Sequence, residues 1–300
     1  MREGEAELIL KDIYERNKGI KKLIVVDLDG TLLNNSSELD EETVLSITKF
    51  INDEIKLTIA TGRSYESSLP FVKKLNVTLP VICELGASIV DPVSGFQIES
   101  HHLPVDILNE IMLFLREGDF HFNVYLCSGN NYNCFRGSDS PIYLGRKVAT
   151  DVDDDLKNIF NFIFKDISFY EEFKFEDIRK ISIRTDVEEY EKLRESLELR
   201  FGQMVNIRRS DINCIDISPR GITKGTGLLK VINMFNLDSK DIMVIGDNET
   251  DVSMFEITDN SFAVANADPY TKSKAKHIVP SNEEEGVVYA IREFLYSKSY

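Results

Sequence analysis

Two aspartates open the chemistry of this sequence. Asp27 and Asp29 stand two residues apart directly after the apolar run Leu23–Val26, so on an extended chain their side chains leave on the same side. Asp29-Gly30-Thr31 then supplies a tight turn in which glycine permits backbone angles closed to other residues. Two further strand-like segments end in comparable groups, Thr61-Gly62-Arg63 after one and Asp247 after another. Carboxylates gathered at buried strand ends are costly unless paired or bound to a cation. Three of them at one place point to Mg²⁺, a hard ion that takes carboxylates, waters and phosphate oxygens. A lone Asp-x-Asp is ordinarily a solvated turn. Recurrence of such groups at successive strand ends, in one order, carries the chemical reading.

The elements that must hold these residues alternate. Leu23–Val26 is continuous and β-branched, as expected of a strand buried on both faces of a parallel sheet. Asp40–Asn52 shows helical periodicity with an acidic first turn. Lys56–Ala60 reads as a strand, Ser64–Leu75 as a helix and Pro80–Glu84 as a strand. This alternation predicts right-handed βαβ units and a parallel α/β sheet, whose ligands bind at the carboxyl ends of the strands. After about Ala87 the texture changes. Residues 88–210 hold aromatic-rich strands, His121–Cys127 and Asn131–Arg136, between helices such as Val105–Arg116 and Val187–Phe201. Parallel texture returns with helices at Thr223–Phe235, Thr250–Ile257 and Glu283–Tyr296 and strands at Asp241–Ile245 and Ser261–Ala265. The expected architecture is a Rossmann-like α/β core of residues 21–87 and 211–300. An α+β cap domain, 88–210, is inserted into it, and residues 1–20 form a polar lead-in.

Composition narrows the function. The chain has 300 residues, 42% hydrophobic and 29% charged, enough for two domains with real cores. Its 51 Asp and Glu against 35 Lys and Arg leave a net charge of -16, a field that repels nucleic acid backbones. Anionic small molecules remain compatible, because a bound cation and one or two basic residues reverse the field locally. Cys83, Cys127, Cys134 and Cys214 show no zinc spacing and read as reduced thiols. The acidic start MREGEAELIL does not read as a signal or transit peptide, and no apolar run approaches the roughly 18 residues of a membrane helix. A cytoplasmic protein, monomeric or a small homo-oligomer, is expected, with no nucleic acid or membrane partner.

At this point the residues resemble those of the haloacid dehalogenase (HAD) superfamily, in its Cof-like sugar-phosphatase branch with a type-C2 cap. The hallmark DxDGT[LV] stands as Asp27-Leu28-Asp29-Gly30-Thr31-Leu32, and the Thr that ends the second strand is Thr61. The lysine of SPxGxxKG is Lys224, and GDxxxD is Gly246-Asp247-Asn248-Glu249-Thr250-Asp251. The resemblance runs from about Lys21 to the end. It implies a phosphatase acting on small phosphorylated metabolites, sugar phosphates first, through an aspartyl-phosphate on Asp27. A carboxylate with its low pKa (~3.9) is ionised and able to attack. Asp29 would be general acid to the leaving alkoxide, then general base for water. Mg²⁺ would lie on the Asp27 carboxylate, the Asp29 carbonyl and Asp247. Asp251, flanked by Asn248 and Thr250, would hold a metal-bound water or orient Lys224. Thr61, the Gly62 amide and Lys224 would bind the phosphoryl oxygens. The cap would exclude water and select the leaving group. Two positions depart from the pattern: Leu85 and Thr250 stand where the branch usually has Asn.

Other signals carry less. No P-loop motif accompanies the LIVVDLD segment. Asp151–Asp155 imitates an EF-hand but has Leu156 at the glycine position and Phe162 at the glutamate position, and reads as a solvated charge run. His101, His102, His121 and His277 lack ligand spacing. The pairs Arg179-Lys180 and Arg208-Arg209 read as solvated strand ends more than as anion ligands, and the aromatics of Phe120–Tyr132 as cap core. Two rival functions remain open: a sugar phosphomutase, and a catalytically weak metabolite-binding regulator.

Overall fold

Leu23, Ile24, Val25 and Val26 are all wholly buried, so both faces of the strand they form are covered, as in the interior of a parallel sheet. The computed structural model describes residues 3–128, 131–137, 142–144, 147–149, 163–167 and 175–296; the acidic run at Asp151–Asp155 lies outside them. Two compact units emerge, Met1–Ser100 with Thr223–Tyr300, and His101–Ile222.

In the first unit the strands are β1 (Lys22–Val26), β2 (Ile55–Ile59), β3 (Val81–Cys83), β4 (Ser88–Val90) and β5 (Gln97–Ser100). The second unit contributes β6 (Phe122–Ser128), β7 (Asn131–Arg136), β8 (Ile142–Leu144), β9 (Lys147–Ala149), β10 (Ile163–Asp166), β11 (Lys180–Thr185), β12 (Val205–Asp211) and β13 (Cys214–Pro219). The chain then returns to the first unit for β14 (Ile242–Gly246), β15 (Ser261–Val264) and β16 (His277–Val279). The core sheet runs β16-β15-β14-β1-β2 with every pair parallel. A parallel bridge from Ala60 to Ile82 leads on to the antiparallel β3-β4-β5. β1 therefore lies inside the sheet, and its carboxyl end opens between those of β14 and β2. The predicted parallel α/β class holds.

The second unit has its own six-stranded sheet, β10-β7-β6-β11-β13-β12, antiparallel except for β10 with β7. Helices Val105–Glu117 and Val187–Phe201 bury Leu108, Ile111, Met112 and Leu115, and Tyr190, Leu193, Leu197 and Phe201, in one core with the strands. That spacing is the amphipathic stripe legible in the sequence. Among the predicted core aromatics Phe122 is buried there. All four cysteines are buried, and no disulfide forms among the described residues.

The units divide at Ser100 and Ile222, where the sequence reading divides at 87 and 210. The hairpin β4-β5 stays with the first unit because β4 pairs with β3, and β13 joins the second because it pairs with β11 and β12. The polar lead-in is largely a helix, Glu3–Arg16. It is docked by wholly buried Ile13, by Asn17 donating to Thr78 O at 3.1 Å, and by Arg16, whose Nη2 lies 3.0 Å from both oxygens of Asp91. Among the described residues no helix is long and apolar enough to cross a membrane.

Asp91 is fully buried. Burial alone would raise its pKa, but hydrogen bonds from Ser94 and the Arg16 guanidinium hold it below the ordinary carboxylate range. Removing the guanidinium strips a buried acceptor of its charged partner, so Arg16→Ala is expected to destabilise by about 1–3 kcal/mol. A carboxyl with a depressed folded value contributes stability above its unfolded value and loses it as pH falls. The gap between wild type and Arg16→Ala in urea melts should therefore shrink in acid; a gap that widens there would contradict the assignment.

Candidate active site

Asp27 follows the last residue of β1, and its amide donates to Ile245 O at 3.1 Å, extending the β1–β14 pairing by one bond. The side chain, 2% exposed, is thereby fixed at the carboxyl edge of the sheet. The chain then turns through Gly30 at φ 76. A Cβ on Gly30 would lie 2.3 Å from Asp247 Oδ2, so the residue is glycine for conformation and for space alike. The turn returns Thr31 to the site, where its hydroxyl lies 3.3 Å from Asp27 Oδ2 and 3.2 Å from Asp247 Oδ1. One short side chain thus links the ends of β1 and β14.

Lys224 arrives from the opposite end of the chain. It is the first residue of helix Lys224–Phe235, whose start is fixed by a reciprocal cap: Thr226 N donates to Thr223 Oγ1 and Thr223 N to Thr226 Oγ1. The ammonium lies 2.7 Å from Asp27 Oδ1 and 2.7 Å from Asp251 Oδ1, with all three side chains buried. The second oxygen of Asp251 accepts the backbone amides of Asp247 and Asn248 at 3.0 and 3.1 Å. Asn248 in turn donates to Asp247 Oδ1 at 3.2 Å and accepts from the amide and hydroxyl of Thr250. The local turn of residues 247–251 is thus tied by side chains to the group it must position.

The charges do not balance. Three carboxylates, those of Asp27, Asp247 and Asp251, place oxygens within 4.8 Å of one another, and among the described residues a single buried ammonium, that of Lys224, is paired with them. Burial, with Asp251 and Asp29 nearby, pushes Asp27 up to about 7 against the pull of Lys224. Burial, then Asp27 and Asp251, likewise hold Asp247 well above the ordinary carboxylate range. Burial opposes the charge of Lys224, yet Asp251 and Asp27 outweigh it and keep the ammonium protonated. An excess of buried carboxylate with hard oxygen donors is the environment a divalent cation completes.

The end of β2 supplies the other predicted groups. Thr61 is wholly buried and half-buried Gly62 follows it; the Thr61 hydroxyl accepts the Arg63 amide at 3.1 Å. Asp29 does not join the carboxylate cluster: both its oxygens are taken by the Arg63 guanidinium, at 2.7 and 2.5 Å. Behind this edge, Glu84, Leu85 and Gly86 all have positive φ, at 49, 61 and 96°. Leu85 sits in a left-handed conformation that Asn adopts more easily, which gives the branch's usual Asn there a backbone reason. Gly86 is required by space, since a Cβ would meet Thr223 O at 2.1 Å.

Of the residues named from sequence, the structure brings Asp27, Asp247, Asp251 and Lys224 together and braces them with Asn248 and Thr250. Sequence reasoning gave no role to Thr31, although its place in DGT was a usable signal. It also missed Asn266, which donates to Gly30 O at 2.7 Å and accepts from Asn282 N at 3.0 Å; no local pattern announces a contact spanning 236 positions. A second gathering of potential ligands, exposed His121 with Asp186 and Glu189, was also missed. There Glu189 already accepts the His121 amide at 2.8 Å.

Comparison with known proteins finds similar chains over most of this one. The family model for haloacid dehalogenase-like hydrolases matches residues 24–291. The 5-amino-6-(5-phospho-D-ribitylamino)uracil phosphatase YwtE of Bacillus subtilis (strain 168) is 28% identical over 286 residues, 91% of this chain and 98% of its own. YitU, a phosphatase of the same description and organism, is 25% identical over 275 residues, 91% and 97% of the two chains. A crystal structure of a haloacid dehalogenase-like hydrolase from Bacteroides thetaiotaomicron shares the fold at TM-score 0.70 and 21% identity, covering 92% of this chain and 100% of its own. A HAD subclass IIB sugar phosphatase does so at TM-score 0.71 and 19% identity, covering 91% and 99%.

The turn at Gly30 gives a direct check on the site's construction. Gly30→Ala places a side chain both in a left-handed conformation, costing about 1–3 kcal/mol, and against the Asp247 carboxylate. Thermal unfolding should show a lowered Tm together with loss of activity; an unchanged Tm would contradict the packing described.

Proposed function

The chain belongs to the haloacid dehalogenase-like hydrolase family and is an enzyme of its phosphatase type, and from that premise we propose that it hydrolyses small phosphorylated metabolites, sugar phosphates first, with Asp27 as nucleophile and Mg²⁺ as cofactor. The observation that carries this reading is the Lys224 ammonium held 2.7 Å from both Asp27 and Asp251 at the carboxyl end of a parallel sheet. Lys224 keeps one Asp27 oxygen in place and offers positive charge where a phosphoryl group has to dock. Thr61, the Gly62 amide and Lys224 are assigned to the phosphoryl oxygens, and Thr31 to orienting the nucleophile. Asp29 is assigned to proton transfer.

The donor set fits a divalent ion. Asp27, Asp247 and the backbone carbonyl of Asp29 are assigned to hold Mg²⁺, with Asp251 bound to Lys224 rather than to the ion. When bound, the ion neutralises the excess carboxylate charge and polarises a phosphoryl oxygen. The net charge of -16 favours small substrates over nucleic acid. Neither departure from the branch's pattern disturbs the cluster: Leu85 is buried outside it, and Thr250 bonds Asn248 through its hydroxyl at 2.6 Å. The regulator reading rests on those two departures and the mutase on no observation of this chain, so the phosphatase reading is preferred.

The test is phosphate release from a panel of phosphorylated metabolites, with Mg²⁺ and with chelator, for wild type and Asp27→Asn. Release that needs Mg²⁺ and disappears in the variant is expected; retained turnover by Asp27→Asn would overturn the nucleophile assignment. A second expectation concerns pH. With Asp27 raised from 3.8 to about 7 in the metal-free protein, its stabilising contribution is present at low pH and is lost as pH rises through about 7. Mg²⁺ binds the ionised form and releases protons below that point. The rise in Tm on adding Mg²⁺ should therefore grow between about pH 5 and 8, and a flat or falling response would contradict the assigned ligands.

A further inference from the structure

Arg63 has no role in the chemistry assigned so far, yet it makes the shortest pair of bonds at the site. Its Nε and Nη2 meet the two oxygens of Asp29 at 2.7 and 2.5 Å, the parallel two-bond geometry that gives arginine its directional grip on a carboxylate. Among the described residues Arg63 is the only side chain holding the Asp29 carboxylate. The guanidinium is itself located by its neighbours: the Arg63 amide donates to Thr61 Oγ1 at 3.1 Å, its carbonyl accepts Glu84 N at 2.9 Å, and its side chain lies over the Phe71 ring at 5.2 Å. The Asp29 side chain is 49% exposed and that of Arg63 25%. A pair so open to water contributes little to folding. Its geometric effect is larger, because a half-exposed carboxylate without this fork would sample several rotamers.

We propose that Arg63 is a positioning residue for proton transfer by Asp29, aligning the carboxyl with the leaving oxygen from the end of the strand that carries Thr61. The inference rests on the phosphatase reading given above. In the first half of that reaction a bond forms between Asp27 and phosphorus, the bond from phosphorus to the ester oxygen breaks, and the proton of Asp29 passes to that oxygen. In the second half water attacks the phosphoryl group, its proton returns to Asp29, and the Asp27 carboxylate leaves. Misalignment of Asp29 therefore harms the first half only when the leaving oxygen needs a proton. Nitrophenolate departs without one; an alkoxide does not.

This gives a readout that general structural damage does not imitate. The ratio kcat/KM reports events up to the first irreversible step, so it isolates leaving-group departure, whereas kcat also contains hydrolysis of the intermediate. For Arg63→Gln, kcat/KM toward the sugar phosphate turned over best should fall by about 10²-fold, the usual range for a lost acid or base. Toward p-nitrophenyl phosphate it should stay nearly unchanged. Because both values come from one preparation, any unfolded fraction cancels in their quotient. Arg63→Lys, which keeps the charge without the fork, should retain the split, and Arg63→Gln added to Asp29→Asn should not widen it. Equal losses on both substrates, a quotient restored by Lys, or additive effects in the double variant would overturn the inference while leaving the phosphatase reading intact. Wild type inactive on every phosphate ester would overturn both.

Discussion

Most of this site hangs on one ammonium group placed between two buried carboxylates. Lys224, 2.7 Å from Asp27 and from Asp251, joins the end of β1 to the turn after β14 from a position 197 residues removed from Asp27. Buried ion pairs are poor sources of net stability, since desolvation offsets their attraction, but breaking one by removing a partner costs about 3–5 kcal/mol. The consequence here is specificity of arrangement. Helix Lys224–Phe235 has to begin where it does, and the reciprocal cap of Thr223 and Thr226 fixes that start. Glycine is needed at position 86 so that the neighbouring loop can lie against Thr223.

The excess negative charge around that lysine is the other half of the constraint. Three carboxylates facing one ammonium repel one another when no cation is bound, and burial with that repulsion pushes Asp27 and Asp247 above the ordinary carboxylate range. The protein tolerates this because the surrounding hydrogen bonds over-determine the geometry. Asp251 is tied by two amides, Thr31 spans Asp27 and Asp247, and Asn266 holds the Gly30 carbonyl. Such pre-organisation places fixed dipoles before substrate arrives, which is where electrostatic catalysis gains most. The left-handed conformations of Glu84 and Leu85 are backbone strain held at the same edge, and Gly86 continues the run without strain.

What could be read without a structure followed from local pattern. The Leu23–Val26 run, the glycine after Asp29 and the spacing of Asp247 and Asp251 are short-range signals, and each lies where the fold requires it. The helices Val105–Glu117 and Val187–Phe201 were legible because their apolar stripes repeat every three to four residues. Long-range contacts were not. The helix Glu3–Arg16 reads in sequence only as part of a polar lead-in, because its few docking groups, Ile13, Arg16 and Asn17, are recognised only once Thr78 and Asp91 are beside them. β13 falls within the 211–300 stretch read as core, but strand membership depends on pairing partners, here β11 and β12. The bidentate hold of Arg63 on Asp29 was hidden for the same reason, 34 residues apart.

The central claim is that Asp27 attacks phosphorus and that phosphate leaves in two displacements. Each in-line displacement inverts the phosphorus centre, so two of them restore it. The most direct test is the stereochemical course of transfer to water, with an ester made chiral at phosphorus by oxygen isotopes. Net retention is the result this account predicts. Net inversion would mean that water attacks the substrate directly, and would contradict the role given to Asp27.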